Sequence, residues 1–444
     1  MKKAALHNLG CKVNAYETEA MQQMLEEAGY EIVPFSQKAD VYVINTCSVT
    51  NMADRKSRQM LHRAKKLNPD AAVVAAGCYV QTSEAEARQD EAVDILIGNN
   101  QKAQLIHRLE AFFAGKESKE NKSQEKAESL LDINGQPQTF EELPLSQTRE
   151  HTRAFLKVQD GCNQFCSYCI IPYARGRVRS CKPETVLKQV RSLAENGCKE
   201  IVLTGIHLSS YGMDFGGSLL ELIRLVHQAE GIERIRLGSL EPRVVTEDFA
   251  KALSELPKVC PHFHLSLQSG CDETLKRMNR KYTTEEYEAS CNILRKYFTH
   301  PAITTDVIVG FPGETEEEFA KTREFLQRIH FYEMHIFKYS VRKGTRAAVM
   351  EQQIPEEIKT KRSAELLTLA DRMSAEFREY YVGKTQEVLF EEPVVLEDRE
   401  YYGGYNREYV RFVAKSEMPL DNCLRRGEVT GKLSDEILYM NCIQ

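Results

Sequence analysis

Three apolar runs near the start of the chain each end in a cysteine, in the contexts Leu9-Gly10-Cys11, Asn45-Thr46-Cys47 and Ala76-Gly77-Cys78. The runs, residues 4–9, 41–46 and 72–76, read as strands, and 16–28 and 51–67 carry helical patterns between them. Parallel neighbours need a crossover element, so this alternation predicts an α/β domain, a doubly wound parallel sheet, over residues 1–114. Ligand sites in such sheets form beyond the carboxyl ends of the strands. Cys11, Cys47 and Cys78 are therefore expected to meet at one sheet edge. Three thiolates there would hold an iron–sulfur cluster with one open iron; three separate buried cysteines are the plain alternative.

A second triplet follows in Gly161-Cys162-Asn-Gln-Phe-Cys166-Ser-Tyr-Cys169, with C-x3-C-x2-C spacing and no fourth cysteine in the loop. A 4Fe–4S cluster is usually held by four thiolates, so three leave one iron open to a ligand. A structural zinc site would want a fourth ligand and more often uses C-x2-C pairs. Incidental burial is the other reading. The chain has 13 cysteines, and in a reducing compartment that number points to metal or redox chemistry rather than disulfides. Cys181, Cys198, Cys260, Cys271, Cys291, Cys423 and Cys442 have no positional explanation and read as small buried hydrophobes. The start lacks a signal-peptide core and no stretch is long and apolar enough for a membrane span. A cytoplasmic protein with no membrane partner is expected.

The charged segment beginning Lys116-Glu-Ser-Lys-Glu-Asn reads, with the residues after it, as a linker over 115–150 with no core of its own. Strand–helix alternation then resumes across 151–375, with strands expected at 155–158, 200–203, 234–237, 263–267, 304–309 and 334–339. Six βα units predict a partial (βα)6 barrel of TIM type, with Cys162, Cys166 and Cys169 just after its first strand, at the catalytic face. A helix over 183–196 starts at Pro183 and stops at Gly197. Thr204 and Gly205 close the second strand; Asp306 to Gly310 close the fifth. Gln268 ends another, where His264, Ser266 and Gln268 share one face and His264 reads as core. After a long helix, 356–381, strands at 385–391, 409–414, 428–433 and 437–442 predict a small OB-like β-barrel within 376–444.

Net charge is −6, so only local patches argue for a polyanion. Arg55, Lys56 and Arg58 open a basic helix directly after Cys47, and Arg175, Arg177 and Arg179 follow the second cysteine loop. Both flank the cysteine triplets, as a nucleic-acid substrate would require, although a solvated helix face explains the first equally well. Lys384, Arg407, Tyr409 and Arg411 offer a mixture suited to RNA stacking and phosphate contact, within a terminal region that is net acidic.

The whole chain resembles the radical S-adenosylmethionine (SAM) methylthiotransferases: a three-cysteine domain, a radical SAM barrel and a C-terminal TRAM domain. Leu9-Gly10-Cys11-Lys12-Val13-Asn14-Ala-Tyr16-Glu17 and Ile171-Pro-Tyr173-Ala-Arg175-Gly176-Arg177 resemble the branch acting on N6-threonylcarbamoyladenosine beside the tRNA anticodon. The resemblance implies two 4Fe–4S clusters: an auxiliary one on Cys11, Cys47 and Cys78, and a SAM-cleaving one on Cys162, Cys166 and Cys169. It implies methyl transfer from one SAM and hydrogen abstraction from adenine C2 by a radical made from a second. Thr204, Gly205, Gln268, Asp306 and Gly310 are the expected SAM contacts. The tRNA anticodon stem-loop, an electron donor such as flavodoxin or ferredoxin, and a sulfur source are the expected partners. Methylthiolation of isopentenyladenosine or of a ribosomal-protein aspartate, and a non-enzymatic iron–sulfur RNA-binding role, are the competing readings.

Overall fold

Valine, isoleucine and alanine dominate the first sheet because its strands are covered on both faces, as parallel strands require. The structure is a computed structural model that describes residues 1–117, 130–135, 138–148 and 152–443, with side chains described to 115 in the first stretch. The order is β1 (Lys3–Asn8), α1 (Lys12–Glu27), β2 (Glu31–Ile32), β3 (Val41–Thr46), α2 (Asn51–Leu67), β4 (Ala72–Gly77), α3 (Cys78–Thr82), α4 (Glu84–Gln89), β5 (Ile95–Ile97) and α5 (Leu105–Glu117). The sheet runs β2-β1-β3-β4-β5, all parallel. β3 and β4 are buried along their whole length, with separate apolar cores on the two faces. The doubly wound expectation holds, and the three cysteine-bearing strands are neighbours.

The expected linker is only partly a linker. Residues 118–129 lie outside the described residues. Leu130 packs into the first domain and Leu143 and Leu145 into the central core, where the Tyr16 hydroxyl donates to Leu143 O at 3.0 Å. The charged run obscured the apolar residues that follow it, and those dock the connection onto both domains.

The central region comprises β6 (Arg153–Asp160), α6 (Ile171–Arg175), β7 (Arg179–Ser180), α7 (Pro183–Glu195), β8 (Glu200–Gly205), α8 (Leu219–His227), β9 (Arg234–Leu237), α9 (Glu247–Ser254), β10 (His262–His264), α10 (Asp272–Arg277), α11 (Thr284–Tyr297), β11 (Ala302–Val309), α12 (Glu316–Ile329), β12 (Glu333–Lys338) and α13 (Glu356–Glu379). Six strands run parallel in chain order as a curled sheet, with β7 antiparallel to β6. The curl is continuous but thin between β9 and β10, where single bridges Ile235–Val259 and Leu240–Leu265 join them. The expected strand at 263–267 stops early because the chain turns out of extended geometry, reaching φ 76° at Gln268.

The last five strands are β13 (Thr385–Leu396), β14 (Arg399–Tyr405), β15 (Arg411–Ala414), β16 (Cys423–Lys432) and β17 (Leu438–Cys442). They close as β13-β14-β15-β17-β16. Gly403 and Gly404 lie inside β14, a strand not expected from the sequence, and pair on both sides. This barrel plugs the amino ends of the central strands. Arg234 donates to Glu387 O and Tyr405 O, both at 2.9 Å, and Arg236 to Arg407 O at 2.9 Å.

Candidate active site

Sequence places a cysteine after each of β1, β3 and β4, and adjacency of those strands brings the three to one edge. Cys11 caps the amino end of α1, where the helix dipole favours a thiolate. Its thiol faces Asn14 Oδ1 at 3.6 Å, and the Asn14 amide donates to Leu9 O at 2.8 Å and Thr46 O at 3.0 Å. Asn14 thus ties the Cys11 loop to the Cys47 strand end. Gly10 sits at φ +115°, and a Cβ there would fall 2.9 Å from Cys47 Cβ, so glycine is what lets the two loops approach. Asn99 Nδ2 lies 3.5 Å from Cys78 Sγ and donates to Ala174 O at 2.8 Å.

Cys11 is exposed, while Cys47 and Cys78 are buried. Burial pushes the Cys11 thiol up and that of Cys47 to about 11, and Cys78 raises both further. Arg175 opposes the shift in each.

That arginine corrects an expectation. Arg175 and Arg179 are buried and offer nothing to RNA. Arg175 Nη1 contacts Glu17 Oε1 at 2.9 Å and Asp160 at 3.2 Å, and its Nη2 donates to Asn14 Oδ1 at 2.8 Å. Lys102 and Lys157 pair with Glu17 at 3.2 and 3.1 Å, and Arg179 with Asp160 at 3.5 Å. Burial alone would raise the Glu17 carboxyl, but Arg175, Lys102 and Lys157 outweigh it and hold it well below the usual range. Lys102, Lys157, Arg175 and Arg179 outnumber Glu17 and Asp160, leaving positive charge in excess where the thiols gather. The two segments that carry the family resemblance, residues 9–17 and 171–177, meet in this cluster. Only Arg177 of the triplet is exposed, over the Phe165 ring at 4.7 Å and lining a cleft of about 580 Å³ with Lys182 and Phe215.

The second triplet leaves the carboxyl end of β6, as the barrel rule requires. Cys162 N donates to Gly176 O and Cys169 N to Cys166 O, each at 3.0 Å, which folds the loop back on itself. Burial raises the Cys162 thiol to about 11 and the Cys169 thiol to about 12, with Cys166 adding to both. Arg280 Nη1 lies 3.3 Å from Cys166 Sγ and its Nη2 donates to Ser266 O at 3.2 Å. Sequence reasoning missed Arg280; its only signal is the basic run Asn279-Arg280-Lys281 after α10. Thiols held within electrostatic reach of one another and of a buried arginine form a donor set suited to a cationic iron centre. Both triplets fit that description. α6 starts two residues after Cys169 and packs on α3, which starts with Cys78, so the segments carrying the two triplets are in contact.

The expected SAM residues spread along the inner wall. Thr204 and Gly205 end β8, with Gly205 against Gln159. Gln268 N donates to Asp306 O at 2.8 Å. Asp306 is mid-strand rather than at a strand end, and its carboxylate meets His264 Nε2 at 3.2 Å. His264 therefore belongs to the polar lumen and not to the apolar core, stacked on His335 with centroids 5.9 Å apart. Gly310 has a local reason to be glycine, since a Cβ would meet Lys359 Cγ at 2.3 Å.

Of the expected RNA contacts, Arg55, Lys56 and Arg58 are exposed on α2, and Lys384 is exposed beside Tyr380. Arg411 lines a cleft of about 800 Å³ with His335, Arg378, Tyr405 and Tyr409, and none of the six cysteines lines it. Arg407 and Tyr409 are corrected. Arg407 donates to Pro257 O at 2.5 Å and Val259 O at 2.7 Å, and Tyr409 stacks on Tyr405 beneath Arg153 and Arg236. They join the terminal barrel to the central one. Of the unexplained cysteines, Cys181, Cys198, Cys260, Cys271 and Cys291 are buried as expected, while Cys423 and Cys442 are partly exposed.

Residues 156–326 match the Radical SAM superfamily and residues 3–98 match a family described as Uncharacterized protein family UPF0004. The chain is 43% identical to threonylcarbamoyladenosine tRNA methylthiotransferase MtaB of Bacillus subtilis (strain 168), over 94% of this chain and 91% of that protein. It is 42% identical to the protein of the same name from Aquifex aeolicus (strain VF5), over 93% and 98%. A tRNA-2-methylthio-N(6)-dimethylallyladenosine synthase from Acetivibrio thermocellus is 37% identical over 90% and 83%. Among solved structures, the radical S-adenosylmethionine methyltransferase TsrM from Kitasatospora setae superposes with a TM-score of 0.55 at 15% identity, covering 79% of this chain and 77% of that one. That likeness concerns the fold. With relatives of such identity spanning nearly its full length, the chain belongs to the radical SAM methylthiotransferase family.

Proposed function

We propose that this enzyme converts N6-threonylcarbamoyladenosine at position 37 of tRNA to its 2-methylthio derivative. The observation that carries the reading is the packing of α6 on α3, which joins the segments bearing the two cysteine triplets, in a chain whose relatives at 42–43% identity are named for that tRNA substrate. A 4Fe–4S cluster with an open iron supplies one electron to a SAM bound on it. Cys162, Cys166 and Cys169 would hold that cluster, with Arg280 fixing Cys166. Cys11, Cys47 and Cys78 would hold the auxiliary cluster, with Arg175 balancing its negative charge. Thr204, Gly205 and Gln268 line the wall on which SAM would lie, and Asp306 anchors His264 below it. Arg55, Lys56, Arg58 and Arg177 remain exposed for tRNA phosphates. The activity further calls for a one-electron donor of flavodoxin or ferredoxin type, a sulfur source and a cytoplasmic setting with tRNA. No helix among the described residues is long and apolar enough to cross a membrane.

Mass spectrometry of tRNA nucleosides from cells lacking the gene, with and without complementation, tests the substrate. Loss and rescue of 2-methylthio-N6-threonylcarbamoyladenosine is expected. Loss of the isopentenyl counterpart instead would reassign the substrate and keep the chemistry. In the purified protein, Cys169→Ala is expected to abolish SAM cleavage while iron falls from about eight to about four per chain. Cleavage surviving in that variant would refute the assignment of the second triplet.

A further inference from the structure

The two cysteine triplets lie on different domains, so their relative placement depends on contacts that cross between those domains. One set of such contacts comes from a single loop. After β12 the chain passes through residues 340–347 before it reaches α13. Arg342 in that loop is buried, and its guanidinium spreads over the segment that follows Cys47. Nη1 donates to Asn51 Oδ1 at 2.8 Å and to Asp54 Oδ2 at 2.7 Å, and Nη2 donates to Ser48 Oγ at 2.8 Å. The backbone joins in, with Val341 O accepting from Asn51 Nδ2 at 3.0 Å.

From Ser48 the contacts run on toward Cys78. The Ser48 hydroxyl accepts from Arg342, which leaves its own proton for Thr82 Oγ1 at 2.9 Å, and the Thr82 hydroxyl donates to Cys78 O at 3.0 Å. α2, whose first turn Arg342 grips, also carries Ser57, with its Oγ 3.2 Å from Cys47 O. The other end of the loop holds the second triplet. Ala347 N donates to Ser167 O at 2.7 Å, between Cys166 and Cys169. Thr345 pins the loop's own turn, its N and Oγ1 reaching Arg342 O at 3.1 and 2.7 Å. Thr345 and Ala347 are buried as well.

We propose that residues 342–347 form a strut that sets the spacing of the two triplets, and that Arg342 is its positioning residue. The inference rests on the proposed function, in which chemistry begun at the second triplet is completed at the first on one base. Reacting groups held about 1 Å out of place can lose on the order of 100-fold in rate. A planar guanidinium suits the task better than a flexible ammonium, because its donors keep fixed directions to three acceptors at once. The Arg175 cluster and the packing of α6 on α3 cross the same boundary. They keep the domains joined, and the strut trims how they sit.

The experiment uses the full-length, anaerobically reconstituted enzyme with an anticodon stem-loop carrying N6-threonylcarbamoyladenosine. Methylthiolated base and 5′-deoxyadenosine are counted in the same reaction. Arg342→Met is expected to keep wild-type iron content and SAM cleavage while methylthiolated base per 5′-deoxyadenosine falls roughly 10- to 100-fold. Arg342→Lys, which can keep the Asp54 pair but not the whole fork, should fall between the two. Pulsed EPR between the two reduced clusters should give one narrow distance in wild type and a broader or shifted one in Arg342→Met. In the cluster-free protein, hydrogen exchange should show lost protection at residues 48–54 and at the Ala347 amide of that variant. Ser48→Ala severs only the relay to Cys78; it should move the ratio in the same direction, and it decides the matter if Arg342→Met does not fold. An unchanged ratio or an unchanged distance would overturn the inference, and so would cleavage and product falling together. A wild type that forms no methylthiolated threonylcarbamoyladenosine would overturn the proposed function instead, while distance and exchange still decide the strut.

Discussion

Arg175 carries its charge with no exposed surface, and it is the largest of the cationic partners that hold Glu17 and Asp160. Breaking such a buried pair from one side costs about 3–5 kcal/mol, far more than a surface ion pair. Arg175→Met should lower unfolding free energy by up to that amount at pH 7, since Lys102, Lys157 and Arg179 stay on the carboxylates, measured by anaerobic chemical denaturation. The pH dependence follows from the direction of the shifts. Burial works against both carboxylates, but their cationic partners win and both folded values lie below the ordinary 4.5 and 3.8. Their contribution is present in full above those ordinary values and is lost as pH falls through the depressed folded ones. Wild type should lose stability on acidification below about pH 4 more steeply than Arg175→Met. Equal slopes in the two proteins would show that the arginine does not set these carboxylates. The residue types were visible in sequence, but their burial was not, because a charge pattern looks the same whether it faces phosphates or buried acids.

α2 illustrates how one element serves two purposes. Thr50 caps it by accepting from Ala53 N, and its first turn receives Arg342, which donates to Asn51, Asp54 and Ser48 at 2.7–2.8 Å. Its buried stripe of Ser57, Leu61 and Ala64 packs on the sheet. The remaining face presents Arg55, Lys56 and Arg58 next to the Cys47 strand end. Replacing these three with alanine should weaken tRNA binding uniformly. The slope of log K against log salt should fall by about 0.7–0.9 for each phosphate that is no longer neutralised. An unchanged slope in a salt titration would return this face to ordinary solvation. The helix was legible because its polar and apolar positions follow the helical period. β14 was not, since two glycines in a strand read as a turn until pairing partners on both sides are known.

For the whole molecule, the terminal barrel is a structural plug before it is an RNA module. Tyr409 and Tyr405 stack with centroids 4.5 Å apart, and the guanidinium groups of Arg153 and Arg236 lie 4.8 and 4.7 Å from the Tyr409 ring. Those arginines in turn neutralise Glu200, whose carboxyl they hold at about 2 against the effect of burial. Tyr409→Ala should cost about 2 kcal/mol or more in denaturant unfolding, as expected for a desolvated cation–π contact. The salt dependence of tRNA binding should stay as in wild type. Weakened tRNA binding by the folded variant at an unchanged salt slope would place Tyr409 on the RNA face instead.

The spacing of the six cysteines, the alternation of the main strands and helices and the three-part architecture were determined by the sequence itself. They depend on local spacing: a ligand triplet within one loop, a period of two or 3.6, a cysteine placed at each strand end. Tertiary structure alone decided which charges meet. Glu17 and Arg175 are far apart in the chain, and only the docking of α1 against β6 makes them partners. Long-range electrostatics of this kind follows from the placement of whole domains, and no window of sequence contains it.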